Sequence, residues 1–223
     1  MLRSQVNEIL AESAQFIASF GMVLPPFATY RPDQIRAPEA ALIRDRRLGW
    51  DITDYGQGRF ADLGLVLFTT RNGQLSDLSA GRGMLYAEKV MISRVAQISP
   101  MHRHVLKTED IINRGGGDLV LELFMADPDG GIDRAATVTT LSDGVAVTLP
   151  AGGHLRLSPG QSVTLHPNVW HAFWAERADC MICEVSTVND DETDNLFEQP
   201  IGRFSTLTED CAPTHLLVSD YGS

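Results

Sequence analysis

Residues 50–186 alternate short β-branched or aromatic runs with glycine, proline and asparagine, and this texture constrains the fold more than any other feature. Short strands separated by turn residues, with no helical pattern between them, are typical of an all-β sandwich or barrel. The expected strands span residues 63–70, 84–95, 97–104, 109–113, 118–125, 137–141, 144–148, 154–157, 161–165, 171–175 and 181–186. Residues 71–73 are expected to form a turn, and the glycines at 115–117 a tight reversal.

A helical pattern precedes these strands. Apolar residues recur at helical spacing from Val6 to Phe20, behind a candidate N-cap at Ser4, and Gly21 ends the pattern. Pro38 suits the first turn of a second, shorter helix over residues 38–46. We therefore expect residues 1–48 to form an N-terminal helical arm packed on a β-barrel, and residues 49–223 to form that barrel with a C-terminal extension.

The charge balance argues against an anionic partner. The chain has 18 basic and 29 acidic residues and a net charge of -11, the wrong sign for binding a phosphate backbone or an anionic membrane. No apolar run approaches the roughly 20 residues that a membrane helix needs, and the N-terminus lacks the apolar core of a signal peptide. We therefore expect a cytoplasmic protein with no nucleic-acid or membrane partner.

The three cysteines give no disulfide framework. Cys180 and Cys183 form a C-x-x-C pair, but they lie in a predicted strand, where an odd spacing points them to opposite faces. A redox pair of this kind usually opens a helix. We expect both cysteines to behave as small buried hydrophobic residues.

A histidine pair carries the clearest chemical signal in the chain. His102 and His104 are separated by one residue and therefore point to the same face of a strand. Glu109 can return to that face after a short bend, and His171 comes from a distant strand. Together these residues would form a three-histidine, one-glutamate site for a divalent metal, with Mn²⁺ as our first expectation and Zn²⁺, Co²⁺ or Fe²⁺ as alternatives.

The spacing of these four residues resembles the paired motifs of the cupin superfamily, a small jelly-roll barrel. In that superfamily the first motif supplies two histidines and a glutamate, and the second supplies a third histidine. The resemblance implies an all-β cupin-type jelly-roll barrel. Four positions that are not ligands depart from the pattern: Ala96 for a glycine, His166 for a proline, Asn168 for a turn glycine and Ala175 for an asparagine.

Longer stretches resemble one family within that superfamily, the D-lyxose isomerases. The stretches that carry the resemblance are residues 24–28, 48–51, 86–89, 101–104, 109–117, 171–174 and 184–186. They are spread over most of the chain, and the Glu-Asp-Ile-Ile-Asn-Arg-Gly-Gly-Gly run at 109–117 is the most unusual of them. The resemblance implies a metal-dependent isomerase that interconverts D-lyxose with D-xylulose, and D-mannose with D-fructose, through an enediol-type intermediate.

Such an isomerase needs a base that moves a proton between neighbouring carbons of a monosaccharide. Glu184 is our first candidate, and its apolar strand neighbours are expected to raise its pKa. Lys89 and Lys107 are candidates for neutralising or hydrogen-bonding substrate oxygens. The candidate substrate-binding residues are Glu88, Glu122, Trp170 and Arg203. The acidic residues at 190–194 are expected to form a solvated loop, with a position near the barrel mouth as the alternative.

Two other functions remain open at this point. The ligand set would also serve a cupin oxygenase that uses Fe²⁺, or a non-catalytic cupin that binds sugars. For the isomerase itself, the residues do not decide between proton transfer through an enediol and a metal-assisted hydride shift. The helical arm and the exposed edges of a jelly roll favour a homodimer.

Overall fold

The computed structural model describes residues 1–222, and most of its regular structure is antiparallel β-sheet. The strands are β1 (Gly49–Thr53), β2 (Leu65–Asn72), β3 (Tyr86–Ser93), β4 (Ser99–His104), β5 (Glu109–Ala126), β6 (Ile132–Asp133), β7 (Val138–Ser142), β8 (Val145–Leu149), β9 (Gly153–Leu157), β10 (Ser162–Leu165), β11 (Val169–Thr187) and β12 (Asn195–Phe197). The expected all-β class is confirmed.

The helices are short except for the first. They are α1 (Arg3–Ser19), α2 (Pro32–Arg36), α3 (Ala41–Asp45) and α4 (Leu75–Ala80), with 3₁₀ turns at Pro26–Thr29, Pro38–Ala40 and Val218–Asp220. The expected turn at residues 71–73 is wrong, because β2 runs on to Asn72 and α4 lies between β2 and β3. Within residues 1–222, no helix has the length and apolar character needed to cross a membrane.

Two long strands, β5 and β11, pair along most of their length and bend together. The first half of β5 and the second half of β11 lie in one sheet, of order β1-β2-β3-β11-β5-β10-β7-β8. Their other halves lie in a second sheet, where β4 pairs with β11, β12 pairs with β4, and β6 and β9 pair with β5. The two sheets therefore face each other across an apolar interior.

The three glycines at 115–117 form the bend in β5 and not the tight reversal we expected. Gly116 has a φ of 93°, and a Cβ atom there would collide with the Asp179 carbonyl of the facing strand. The register of β11 shifts at the same level, between Glu176 and Cys180. Glycine thus allows both strands to turn from one sheet into the other without losing their pairing.

Helix α1 covers the outer face of the first sheet. Its residues Val6, Leu10 and Ile17 are buried against that face, in a cluster that includes Phe68. The helix begins one residue before the expected cap: the backbone N–H of Leu2 donates to Gln5, and the Ser4 hydroxyl donates to Asp210. The arm is therefore packed on the barrel through an apolar core of its own, and the division at residue 48 stays a prediction.

Cys180 and Cys183 lie on opposite sides of the first sheet. Cys180 belongs to the cluster between the two sheets, and Cys183 belongs to the cluster under α1. Both thiols are free, and burial raises the pKa of each. The expected role as small core residues is confirmed.

Candidate active site

Between the two sheets lies a cavity that is lined by residues of both. Its apolar lining comes from β2, β3, β5 and β11, and its polar lining includes every residue that the sequence nominated for metal binding or catalysis: His102, His104, Glu109, His171, Glu184, Lys89 and Lys107. Arg203 lines it as well. The barrel interior therefore collects these groups from positions up to about a hundred residues apart in the chain.

Three histidines converge at one end of the cavity. His102 and His104 come from β4 and His171 from β11, and one nitrogen of each lies within 4.8 Å of the others. The Nδ1 atoms lie 2.8, 3.1 and 3.1 Å from the backbone carbonyls of Pro100, Asp194 and Val169, respectively. We assign the ring proton to Nδ1 from these contacts, which leaves each Nε2 lone pair free for a ligand.

Glu109 completes this end of the cavity. Its Oε1 lies 3.2 Å from Nε2 of His171 and 3.5 Å from Nε2 of His104. This oxygen is buried and has no hydrogen-bond partner among the described residues, an unfavourable state for a carboxylate unless a further group binds it. Three neutral imidazoles and one carboxylate are a ligand set that suits a divalent transition metal, so these residues fit such an ion.

The electrostatics keep these groups in the form that binds a metal. Burial, together with the neighbouring histidines, lowers the pKa of His102 well below its usual value. Burial and the Lys107 ammonium lower the pKa of His104. Burial alone would raise the pKa of Glu109, but Lys107 holds it well below its usual range. Neutral imidazoles and an ionised carboxylate are the protonation states that metal ligands need.

We call the end of the cavity with His102, His104, His171 and Glu109 the metal end. Lys107 connects it to a second carboxylate, that of Glu184. Its Nζ lies 2.6 Å from Oε2 of Glu109 and 2.9 Å from Oε1 of Glu184, and all three side chains are buried. Lys89 Nζ lies 3.6 Å from the same oxygen of Glu184. The two ammonium groups outweigh burial and lower the pKa of Glu184, so the expected raised pKa is wrong.

The alternation of charge continues away from the metal end. Lys89 lies 3.9 Å from Asp191, the Arg203 guanidinium lies 3.4 Å from Asp191, and Arg203 lies 3.0 Å from Asp51. We call this series of seven groups the charged row; in order it comprises Glu109, Lys107, Glu184, Lys89, Asp191, Arg203 and Asp51. Each cation lies between two carboxylates, which offsets the desolvation of the buried charges.

Two carboxylates that we had nominated for substrate binding lie outside the cavity. Glu88 directly precedes the inward Lys89 on β3 and therefore points to the other face, where it accepts a hydrogen bond from Thr70. Glu122 lies between the inward Leu121 and Leu123 of β5. Both predictions fail because one step along a strand reverses the direction of a side chain.

Trp170 also lies outside the cavity. His171 points inward, so the indole of Trp170 points away from the interior, and its Nε1 donates to the Gly131 carbonyl. The Arg103 guanidinium lies over its ring, 5.5 Å from the centroid. The tryptophan thus packs behind the metal end and does not contact the cavity.

The acidic segment at 190–194 is only in part the solvated loop that we expected: Glu192 is exposed, but two other carboxylates are not. Asp194 is buried, and its carboxylate accepts hydrogen bonds at 2.8–2.9 Å from the backbone N–H groups of the three residues after His104. Asp191 lines the cavity within the charged row. Two further residues that sequence reasoning missed, Tyr55 and Ser99, line the cavity near Arg203 and β4.

The lysine content of the chain is a further sequence signal that supports the choice of Lys89 and Lys107. The chain contains only two lysines, Lys89 and Lys107, whereas its other basic side chains are arginines. Lysine is ordinarily a surface residue, yet both are buried in the cavity wall. Both lysines therefore depart from the usual surface position of this residue, and each supplies a compact ammonium next to Glu184.

Comparison with known proteins extends over the whole chain. A sequence profile of the family described as "D-lyxose isomerase" matches residues 1–221. A D-lyxose/D-mannose isomerase of Serratia proteamaculans is 46% identical, with 99% of this chain and 98% of that protein covered. A D-lyxose/D-mannose isomerase of Escherichia coli O157:H7 is 43% identical, with the same coverage.

Solved structures of more distant proteins share the architecture. The L-ribose isomerase of Acinetobacter sp. DL28, in complex with L-ribose, superposes with a TM-score of 0.63 at 15% identity, covering 93% of this chain and 98% of that one. The enzyme of Cellulomonas parahominis, with L-psicose, gives 0.58 at 17% identity and the same coverage. At such identities the likeness concerns the fold alone, and it confirms the expected cupin-type barrel with an N-terminal helix.

Proposed function

This chain belongs to the D-lyxose isomerase family and is a sugar isomerase, and from that premise we propose that it interconverts D-lyxose with D-xylulose, and D-mannose with D-fructose, in a metal-dependent reaction. The observation that carries the proposal is the side-by-side placement of two sites in one buried cavity. A four-residue ligand set for a divalent metal lies at one end, and Lys107 links it directly to the carboxylate of Glu184.

The metal would be held by His102, His104, His171 and Glu109, whose ligand atoms face one another. A divalent ion bound there would polarise the carbonyl of an open-chain sugar and stabilise negative charge that develops on the substrate oxygens. His104, His171 and Glu109 are buried and His102 is half-buried, so little bulk water reaches this end of the cavity, and this strengthens each electrostatic interaction with the substrate. Each imidazole contacts one backbone carbonyl, and this contact fixes the orientation of that ring.

Glu184 would act as the base. Its carboxylate would take the proton from the carbon next to the carbonyl, and the electrons of that C–H bond would form the carbon–carbon double bond of an enediol as the carbonyl oxygen gains a proton. The protonated Glu184 would then return the proton to the former carbonyl carbon, while the hydroxyl on the other carbon gives up its O–H proton and becomes the new carbonyl. The proton lost by that hydroxyl balances the one that the first oxygen gained, so aldose and ketose interconvert with no net gain or loss of protons. The base must be ionised to begin, and Lys107 and Lys89 keep it so.

In this mechanism the two lysines would also donate hydrogen bonds to the substrate. Burial would lower the pKa of Lys107, but Glu109 and Glu184 raise it, so its ammonium stays charged in the cavity. Lys89 donates to Asn189 at 2.6 Å and carries further N–H donors within the cavity. Both ammonium groups could donate to substrate oxygens while they offset the charge of the base.

Direct assay tests this proposal. The purified protein, freed of metal and reloaded with Mn²⁺, is incubated with D-lyxose and separately with D-mannose, and the ketoses are measured by chromatography. We expect D-xylulose and D-fructose to form, and expect neither from metal-free protein. Absence of both ketoses with each of Mn²⁺, Fe²⁺, Co²⁺ and Zn²⁺ would refute the proposed function.

Three further expectations accompany the proposal. Mn²⁺ as the physiological ion, a homodimeric assembly and a cytoplasmic location all stay predictions. Mn²⁺ is compatible with imidazole and carboxylate ligands, but so are the alternative ions.

A further inference from the structure

We propose that the paired hydroxyl groups of Tyr55 and Ser99 bind a hydroxyl beyond C2 of the open-chain sugar, and so help to select the substrate. The inference rests on the proposed function and deepens it. Tyr55 follows β1 and Ser99 begins β4, and both line the cavity that holds the charged row. Neither residue belongs to the metal end or to the charged row.

The two hydroxyls form an isolated buried pair. Tyr55 Oη lies 2.8 Å from Ser99 Oγ, and the residues are only 3% and 2% exposed. Each hydroxyl carries one proton, and the bond between them uses one of the two. Among the described residues, neither oxygen has a second partner, so one O–H donor in the cavity wall always remains available. Burial raises the pKa of Tyr55 to about 12, which keeps the phenol protonated.

Tyr55 is held in place at a backbone conformation that favours glycine. Its φ is 55°, and its N–H donates to Thr53 Oγ1, which in turn donates to the Arg203 carbonyl at 2.6 Å. Its ring packs edge-on against Phe197, with centroids 5.5 Å apart. Left-handed conformations of bulky residues are retained where the surroundings determine them, and they cluster at functional sites.

The position of the pair suits a polyhydroxylated chain. Glu184 and Lys89 lie on strands of the first sheet, whereas Ser99 lies on β4 of the second sheet, together with the metal ligands His102 and His104. An open-chain sugar carries a hydroxyl on almost every carbon, and these hydroxyls point in different directions. The charged row can bind those that face the first sheet, and the Tyr55–Ser99 pair supplies a neutral donor from the other side.

The test removes both hydroxyls and keeps the packing. The double variant Tyr55→Phe/Ser99→Ala is compared with the wild type and with a matched control, Tyr86→Phe/Ser79→Ala, which makes the same changes at exposed side chains on β3 and α4. All three proteins are loaded with Mn²⁺ and assayed on D-mannose and on its 3-, 4-, 5- and 6-deoxy analogues. Bound Mn²⁺ is measured for each preparation.

We expect the double variant to retain its metal and to lose about tenfold in kcat/KM on D-mannose, the effect of one missing hydrogen bond to a buried hydroxyl. The loss should appear mainly in KM, because a contact remote from the reacting carbons serves substrate and transition state alike. With one deoxy analogue, which lacks the contacted hydroxyl, the wild type and the variant should have the same kcat/KM. The control should match the wild type throughout.

A purely structural hydrogen bond gives a different result. If the double variant has the wild-type kcat/KM, or if its loss is equal for D-mannose and every deoxy analogue, the pair does not bind the sugar and the inference is wrong. A loss confined to kcat with reduced metal content would also overturn it, because the change would then act through the histidines. Failure of the wild type to produce any ketose refutes the proposed function and this inference with it.

Discussion

The metal end of the cavity and the charged row beside it are held in place in different ways. At the metal end, each imidazole is oriented by a backbone carbonyl, and two of those carbonyls lie two residues earlier in the same strand. The charged row is held mainly by ion pairs between its own side chains, which come from strands and loops far apart in the sequence. The orientation of His102 and of His171 is therefore set within their own strands, whereas the contacts of the charged row depend on the assembled fold.

The largest expected effect comes from the metal end. His171→Ala removes one ligand and leaves a cavity in the ligand set, so we expect metal content to fall far below one ion per chain and ketose formation to fall to background. Inductively coupled plasma mass spectrometry and a ketose assay measure the two quantities. Added Mn²⁺ should restore chelator-treated wild type but not the variant. Full activity of a metal-free protein would contradict the role of this end.

Lys107→Met tests the mutual dependence within the charged row. Methionine keeps the apolar stem but removes the charge that lies 2.6 Å from Glu109 and 2.9 Å from Glu184, so two buried carboxylates lose their shared partner. We expect the metal-loaded protein to lose about 3–5 kcal/mol of unfolding free energy in a urea titration. The matched control Arg134→Met, at an exposed ion pair with Glu198, should change it by less than about 0.5 kcal/mol. Equal losses in both variants would contradict the account.

A smaller gain is expected outside both regions. Ala96 occupies a position where the cupin motif usually has glycine, and its φ of 59° is a left-handed conformation that costs a non-glycine residue about 1–2 kcal/mol. Part of the gain from glycine is lost to the greater freedom of the unfolded chain. We expect Ala96→Gly to raise the free energy of unfolding by about 0.5–1 kcal/mol with unchanged activity. A destabilised variant would show that the Ala96 methyl group makes contacts worth more than the strain.

The smallest effect is expected on the outer face of the barrel. Glu122 lies one residue from the inward Leu121 and Leu123 of β5, so its carboxylate cannot reach the cavity. We expect Glu122→Gln to keep kcat/KM on D-mannose within about twofold of the wild type. A larger loss measured with fully metal-loaded protein would place this carboxylate in the reaction after all.

The metal end and the charged row also differ in how well the sequence predicts them. His102 and His104 could be placed together because a strand repeats every two residues, whatever its partners are. The metal end was therefore predictable from a short motif and one distant histidine. Within the charged row, Glu184 and the lysines could be nominated, but their contacts could not, because these depend on how β3, β5 and β11 align.

The residues that sequence reasoning missed lie where the chain is irregular. Asp191 and Asp194 belong to an acidic run whose composition is typical of a solvated loop. The two carboxylates are withdrawn from solvent because the chain returns to pair with β4 directly after this run. Tyr55 follows β1 in a loop with a left-handed residue, which no periodicity reveals. The glycines at 115–117 predict a reversal when their own strand is considered alone, because the bend depends on the pairing of β5 with β11.

The central claim is that the metal end binds the metal whereas Glu184 moves the proton. Glu184→Gln tests it most directly, because glutamine keeps the size and removes the base. Metal content and turnover of D-lyxose are measured on the same Mn²⁺-loaded preparation. We predict one metal ion per chain, as in the wild type, and a kcat lower by about 10²- to 10⁴-fold. A variant that binds its metal and turns over D-lyxose at the wild-type rate would contradict the claim.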